Sequence, residues 1–414
     1  MRRIHERGTK RIAGKNSLQR QKDDNLRIVI GSDICPTWAD FDLFEHGKID
    51  ALIPPEFISL FKSADFSIVN AECPLTHVTK PISKTGPALK ASPQCVNFYR
   101  ALGITAVCLA NNHILDYGEE GLKETLASFT DAGIRTVGAG AGIGDARTPL
   151  IHRFACGLSL GVIAMAESEF SIAGRDSAGA NPIDFVNYTM IRNLKINMDK
   201  VLVILHAGTE MRRFPRPGLI DLCHFLVDQG ADAVVVQHTH CIGGVEYYNK
   251  APIIYGQGNF IFGRLTKKDI KSPLWWEGMQ AELAWDILSN DWTLHLHPFL
   301  QRSEGVGIRL LTGAEEEVFW KNQDDFSRLI RDRDAVERSW QDFCAKSKNS
   351  VLLDMMGASR ILSMLGYHGL PLVRFWLWLI DARKVRNMIS CESHRELALD
   401  VLKSLSKPPL SPKN

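Results

Sequence analysis

From Leu26 onward, short β-branched apolar runs alternate with amphipathic helical patterns, and this alternation restricts the chain to the α/β class. The runs at 26–31, 66–69, 104–109, 158–164, 201–205, 233–236 and 252–255 read as strands. Between them, 119–132 sets Leu122, Leu126 and Phe129 on one face and stops at Gly133. Likewise 219–229 aligns Leu222, Cys223 and Leu226 and stops at Gly230, so both read as outer helices on a sheet. The alternation through 292–300 predicts a half-exposed antiparallel strand, which makes the sheets mixed. After Gly313 the pattern turns helical and charged, with helices expected over 315–343 and 351–365. The domain reading is a basic solvated tail at 1–25, a main domain at 26–305, a helical C-terminal region at 306–405, and a proline-rich frayed end at 406–414.

Composition narrows the function. With 414 residues, 45% of them hydrophobic, the chain has ample material for a core. Its 49 Lys+Arg against 47 Asp+Glu, a net charge of +2, argue against specific nucleic-acid binding. No apolar stretch follows the basic start, so the chain as written reads as unexported and cytoplasmic. The odd cysteine count, nine, and the apolar settings of Cys108, Cys156 and Cys223 predict free thiols. The apolar stretch 370–380 is too short to span a bilayer. It is either a buried helix or, with Arg383, Lys384 and Arg386, one lying on a membrane surface, so membrane contact is at most peripheral.

The informative residues stand directly after the apolar runs. Asp33 follows the first strand, Asn70-Ala71-Glu72 ends the second, and Asn111-Asn112-His113 follows the third. His206 follows 201–205, and His238-Thr239-His240 follows 233–236. In α/β sheets, ligands sit beyond the carboxyl ends of the strands, so these groups can converge there. Taken singly, each has an ordinary explanation as a turn, loop or core residue; five strand ends carrying ligand-type groups do not. Imidazoles, two carboxylates and a carboxamide form a mixed N/O set suited to Mn, Fe or Zn.

Six motifs carry a family resemblance: IVNAECPLT (68–76), LANNHILDYGEEGL (109–122), VGAG (137–140), HAGTE (206–210), GADAVVVQHTH (230–240) and YGQGNFIF (255–262). Together they resemble the CapA family of capsule (poly-γ-glutamate) synthesis proteins, whose domain is similar to the calcineurin-like metallophosphoesterases. The resemblance spans roughly 26–305. It implies a four-layer α-β-β-α sandwich and two divalent metal ions. Asp33 and His240 would bind the first ion, Glu72 would bridge, and Asn112, His206 and His238 would bind the second. His113 would be the catalytic general acid or hydrogen-bond donor beside the leaving group. Two such ions about 3.5 to 4 Å apart can hold a bridging hydroxide for in-line attack on a phosphoester, or activate water against an amide.

The sequence departs from the family at named places. Ser32 is inserted between Gly31 and Asp33. Cys35 stands where metallophosphoesterases carry a His, either as a thiolate ligand or as an inert buried thiol. Ala207, Gln237 and Thr239 replace the usual residues beside the histidines. Arg212 and Arg213 are expected to reach an anionic substrate or to be loop charges, and Lys80, Lys84 and Lys90 carry the same two readings. Tyr255 and Asn259 are expected to shape the far wall. The sequence leaves three functions open: a binuclear metal-dependent hydrolase acting on a capsule or other anionic polymer, a non-catalytic assembly subunit working with other capsule-synthesis proteins, or a soluble phosphodiesterase of small phosphoesters. The resemblance also implies an exported or membrane-anchored site, against the cytoplasmic reading.

Overall fold

The apolar runs pair into two sheets. Numbering strands along the chain, the larger sheet holds β1 (Arg2–Ile4), β2 (Asn25–Cys35), β3 (Phe66–Ala71), β4 (Ala106–Cys108), β5 (Arg135–Val137), β14 (Asn259–Phe262), β15 (Glu277–Asp286), β16 (Asp291–Gln301) and β17 (Ile308–Arg309). Its order is β1-β16-β15-β2-β3-β4-β5, with β14 beside β2 and β17 beside β16. The second holds β7 (Leu150–Arg153), β8 (Ser159–Ala166), β10 (Lys200–His206), β11 (Ala233–Gln237), β12 (Val245–Tyr248) and β13 (Ala251–Ile254), in the order β12-β13-β11-β10-β8-β7. A small ribbon joins β6 (Ala139–Gly140) to β9 (Gly179–Ala180). Both large sheets are mixed: β2 to β5 and β8, β10, β11 and β13 run parallel, while β15, β16, β7 and β12 pair antiparallel. This computed structural model describes residues 2–4, 25–263, 272–303 and 305–355, with single positions 385 and 389.

Side-chain alternation sets the layers. In the second sheet Leu202, Ile204, Val235 and Ile254 join the core that contains Ile28, Ile30 and Ile68 of the first. Their neighbours Val201, Val203, Leu205, Val234 and Val236 pack instead with Ile191, Leu219, Cys223 and Leu226. The period of two therefore gives one face to the facing sheet and one to helices. Those helices are α7 (Phe185–Asn197) and α8 (Pro217–Asp228). Beyond the larger sheet lie the short α1 (Phe41–Glu45) and α2 (Ile49–Leu52), then α3 (Pro55–Lys62), α4 (Val96–Leu102) and α5 (Gly118–Asp131). Phe61 of α3 stacks on Phe260 of β14 at 5.4 Å between centroids. The order is helices, sheet, sheet, helices, the expected four-layer sandwich. A further short helix, α6 (Ile143–Arg147), follows β6.

The helix signals act as read. α5 carries Glu119 and Glu120 in its first turn and gives way to Gly133 at φ 73°; α8 opens on Pro217 and gives way to Gly230 at φ 113°. The long helix expected over 315–343 is instead two, α9 (Gly313–Ile330) and α10 (Arg333–Met355). The break comes at Asp332, whose carboxylate accepts from Ala335 N at 3.0 Å and so starts a new helix rather than continuing the old one. The expected 351–365 helix is entered by α10 as far as Met355. The rest of it, 5–24, the 370–380 stretch and 406–414 lie outside the described residues. Residues 2–4, expected in a solvated tail, pair antiparallel with Leu294–Leu296 of β16, because an open strand edge offers unpaired backbone groups. The chain divides into two units, Met1–Glu337 and Arg338–Asn414, and both large sheets belong to the first.

One ion-pair cluster is expected to make the stability of this first unit fall in acid. Buried Glu282 of β15 would be pushed up by burial, but hydrogen bonds from His297 (2.9 Å) and Arg27 (2.7 Å) prevail and hold its carboxyl at about 2. A carboxyl held lower in the folded state stabilises the fold above its unfolded value of 4.5, and that stabilisation is lost as pH falls toward 2. We expect Glu282→Gln to lose about 2 to 3 kcal/mol at pH 7 and to show a flatter stability profile between pH 5 and 2, read by urea titration at each pH. Parallel profiles for variant and wild type would remove Glu282 as the cause.

Candidate metal centre

The carboxyl ends of the parallel strands of both sheets meet at one place. β2 delivers Asp33, the residue after β3 is Glu72, the loop after β4 carries Asn112 and His113, β10 ends on His206, and the turn after β11 holds His238 and His240. All are buried.

The inserted Ser32 does not displace Asp33. Ile30 pairs with Ile68 and Asp33 with Asn70, so two residues of β2 lie opposite the single Val69 of β3. This bulge absorbs the extra residue and returns Asp33 to the face of Ile30; a regular strand would turn it to the opposite side. Gly31 permits the close approach, since a Cβ there would meet Val69 Cγ1 at 2.6 Å. At the other strand end, His238 and His240 adopt left-handed backbone, φ 84° and 51°, a conformation kept in non-glycine residues only where the surroundings enforce it.

The ligand-type atoms converge. His206 Nε2 lies 3.0 Å from Asn112 Oδ1 and 3.1 Å from His238 Nδ1. Atoms that share one ion at about 2.1 Å sit roughly 3.0 to 3.4 Å apart, so each of these two separations suits a shared ion. Glu72 Oε1 stands 3.7 Å from His206 Nε2 and 3.6 Å from His240 Nε2, and Asp33 Oδ2 is 3.6 Å from His240 Nδ1. Glu72 belongs to both tight sets, with His238 and His240 and with Asp33 and His206. Its Oε1 is buried and has no hydrogen-bond partner.

The electrostatics fit the same reading. Burial pushes Asp33 up to about 6 against the pull of Asn70 and His238, and burial with the adjacent Asp33 drives Glu72 well above the carboxylate range. Burial and neighbouring imidazoles, His238 first, press His206 well below the usual histidine range and His240 down to about 3. Ionised acids and protonated imidazoles are both disfavoured here. A divalent cation reverses the first penalty and uses the neutral imidazoles the second one leaves. The residues present therefore fit a metal.

Neighbouring polar groups hold these side chains in place. Asn70 Nδ2 donates to Asp33 at 2.8 Å and Glu72 at 3.0 Å, and Asn111 Nδ2 donates to Asn70 Oδ1 at 3.1 Å. Asn259 Oδ1 meets His240 Nδ1 at 2.8 Å, which leaves Nε2 facing Glu72. His113 follows Asn112 in the same loop, with Nδ1 2.7 Å from buried Asp116 Oδ2. Lys84, one of the three loop lysines, is buried against the same pair: its Nζ contacts Asp116 and lies 3.1 Å from His113 Nδ1.

Other expected residues take partners of their own. Arg213 is held by Glu277 and stacks on Phe326, and buried Arg212 donates to Phe214 O. Cys35 is a buried thiol, pushed well up by burial and by Cys73, and it joins neither tight set. Tyr255 donates to Glu246 in the core, away from the cluster. Sequence reasoning gave no role to Asn70 or Asp116. The signals were present: Asn70 and Glu72 stand two apart at one strand end, and Asp116 three after His113.

The family described as bacterial capsule synthesis protein PGA_cap matches residues 51–264. The chain belongs to this capsule-synthesis family. The PGA_cap match takes in Glu72, Asn112, His113, His206, His238 and His240, while Asp33 precedes it and is placed by the fold. Among relatives, the PGA biosynthesis protein CapA of Bacillus subtilis is 29% identical over 208 residues, 49% of this chain and 54% of its own. The capsule biosynthesis protein CapA of Bacillus anthracis is 30% identical over 181 residues, 42% of this chain and 44% of its own. This PGA_cap chain thus spans about half the length of the relatives it matches. A crystal structure of a hypothetical protein from Thermus thermophilus overlays on 67% of this chain and 100% of its own, with TM-score 0.42 and 15% identity. No helix among the described residues is long and apolar enough to cross a membrane.

Proposed function

We propose that this chain is a divalent-metal-dependent hydrolase acting in the synthesis or turnover of a capsule or other anionic polymer. The observation that carries the reading is Glu72 Oε1, a buried carboxylate oxygen without a hydrogen-bond partner, set among imidazole nitrogens. An unsatisfied buried acceptor of this kind costs several kcal/mol unless a cation meets it. Asp33, Glu72, Asn112, His206, His238 and His240 would hold two ions of the Mn, Fe or Zn type. Bound there, the ions supply charge stabilisation at a phosphoryl or acyl oxygen and a nucleophile at neutral pH.

The chain's own residues do the rest. Asp116 fixes the His113 ring through Nδ1, so proton donation to a leaving group falls to Nε2. Lys84 and Leu89 N complete the partners of Asp116 and keep it in place. Asn70 holds both carboxylates, which keeps their free oxygens turned toward the imidazoles. A phosphoester suits this arrangement best, with an amide such as a γ-glutamyl linkage as the alternative. One observation favours an assembly role beside other capsule-synthesis proteins: the matched relatives are named for biosynthesis.

The test is metal content of the purified protein, followed by turnover of phosphodiesters, phosphomonoesters and γ-glutamyl polymer with Mn or Zn present. Metal-dependent cleavage of a polymer linkage supports the hydrolase. Absence of bound divalent metal sinks it. Metal without turnover, in a protein whose loss still lowers polymer yield, decides for assembly, and cleavage confined to small phosphodiesters decides for a soluble phosphodiesterase.

A further inference from the structure

Asn112 differs from the other five candidate ligands. A carboxamide ligates through one end only, and a half-turn of the amide would aim an NH2 at the cation. Something must therefore choose its orientation.

The segment after β8 supplies that choice. Glu169 Oε2 accepts from Asn112 Nδ2 at 3.0 Å. A carboxylate offers only acceptors, so the nitrogen must face Glu169 and Oδ1 must face His206, where it lies 3.0 Å from Nε2. Two residues on, buried Ser171 donates through Oγ to the main-chain carbonyl of Asn112 at 2.6 Å and accepts from Leu115 N at 3.3 Å. One short segment thus holds both the side chain and the backbone of the same residue. The segment is itself anchored, since Glu169 N donates to Glu167 O at 3.0 Å and Ala166 and Ile183 bond across the sheet end.

We propose that residues 169–171 form a positioning clamp that sets Asn112 as an oxygen ligand, with Glu169 selecting the amide orientation and Ser171 fixing the loop. The inference rests on the two-ion reading of the site. Both residues reach the cluster through Asn112, by the hydrogen bonds just given. Glu169 is solvent-exposed on its own account, which places its expected effect at the low end of the range for partners that orient metal ligands.

The experiment is calorimetric titration of metal-free full-length protein with Mn2+ and Zn2+, with circular dichroism melting as the fold control. Glu169→Ala is expected to weaken one of the two ions about tenfold and leave the other unchanged. Glu169→Gln, which keeps an acceptor for Asn112 Nδ2, is expected to stay within about threefold of wild type. In an Asn112→Ala background, Glu169→Ala should have no further effect, as a clamp acting only through Asn112 requires. Two ions bound with wild-type affinity in Glu169→Ala overturns the clamp, and so does an effect that persists in the Asn112→Ala background. Failure of wild type itself to take up two ions overturns the site reading instead, which separates the two outcomes.

Discussion

Glu72→Gln is expected to end stoichiometric binding of divalent metal while leaving the fold intact. Glu72 is the residue expected to bridge, and its Oε1 stands 3.6 Å from His240 Nε2 of the first ion's set and 3.7 Å from His206 Nε2 of the second's, so its loss should weaken both ions at once. The glutamine keeps the volume of the side chain and an acceptor for Asn70, so the packing around it is preserved. It removes only the charge, which burial already disfavours in the metal-free protein. The consequence for stability is two-sided. Without metal the variant should be at least as stable as wild type; with metal at a hundred times its dissociation constant, wild type alone gains about 2.7 kcal/mol per ion, or roughly 3 to 4 °C in melting temperature per ion. Elemental analysis and scanning calorimetry with and without Mn2+ read both halves. Two ions per chain in Glu72→Gln, with the same thermal gain as wild type, would place the metal elsewhere.

The second large effect concerns His113. His113→Ala should retain metal, because its ring lies outside both ligand sets, and should lower kcat by about 10² to 10⁴ on a substrate whose leaving group needs a proton. The size of the loss should follow the leaving group. An alkoxide departs only with proton donation, so alkyl phosphoesters or polymer linkages should show the full loss. A nitrophenolate departs unaided, so aryl esters should show little. Equal losses on both substrate types would reduce His113 to a structural support of the Asn112 loop.

The sequence and the fold agree where the physics is local. The apolar runs became strands within a few residues, and the glycines at 133 and 230 ended their helices, because periodicity and left-handed backbone are properties of short segments. The candidate ligands were legible for a topological reason: parallel strands bring their carboxyl ends to one edge whatever their separation in the chain. What stayed hidden depends on pairings between distant segments. Nothing local shows that Lys84 is buried against Asp116, that Glu169 reaches Asn112 across 57 residues, or that Arg213 is taken up by Glu277. The bulge at Ser32 belongs to the same class. In sequence it is an extra residue before Asp33; only the register with β3 shows that Asp33 keeps the face of Ile30.

The six candidate ligands are shared evenly between the two sheets: Asp33, Glu72 and Asn112 from the larger, and His206, His238 and His240 from the smaller. Ions held across that seam, as proposed, would rivet one sheet to the other. Binding would then add to the forces that keep the sheets docked, so stripping the metal should loosen both sheets together rather than one strand end alone.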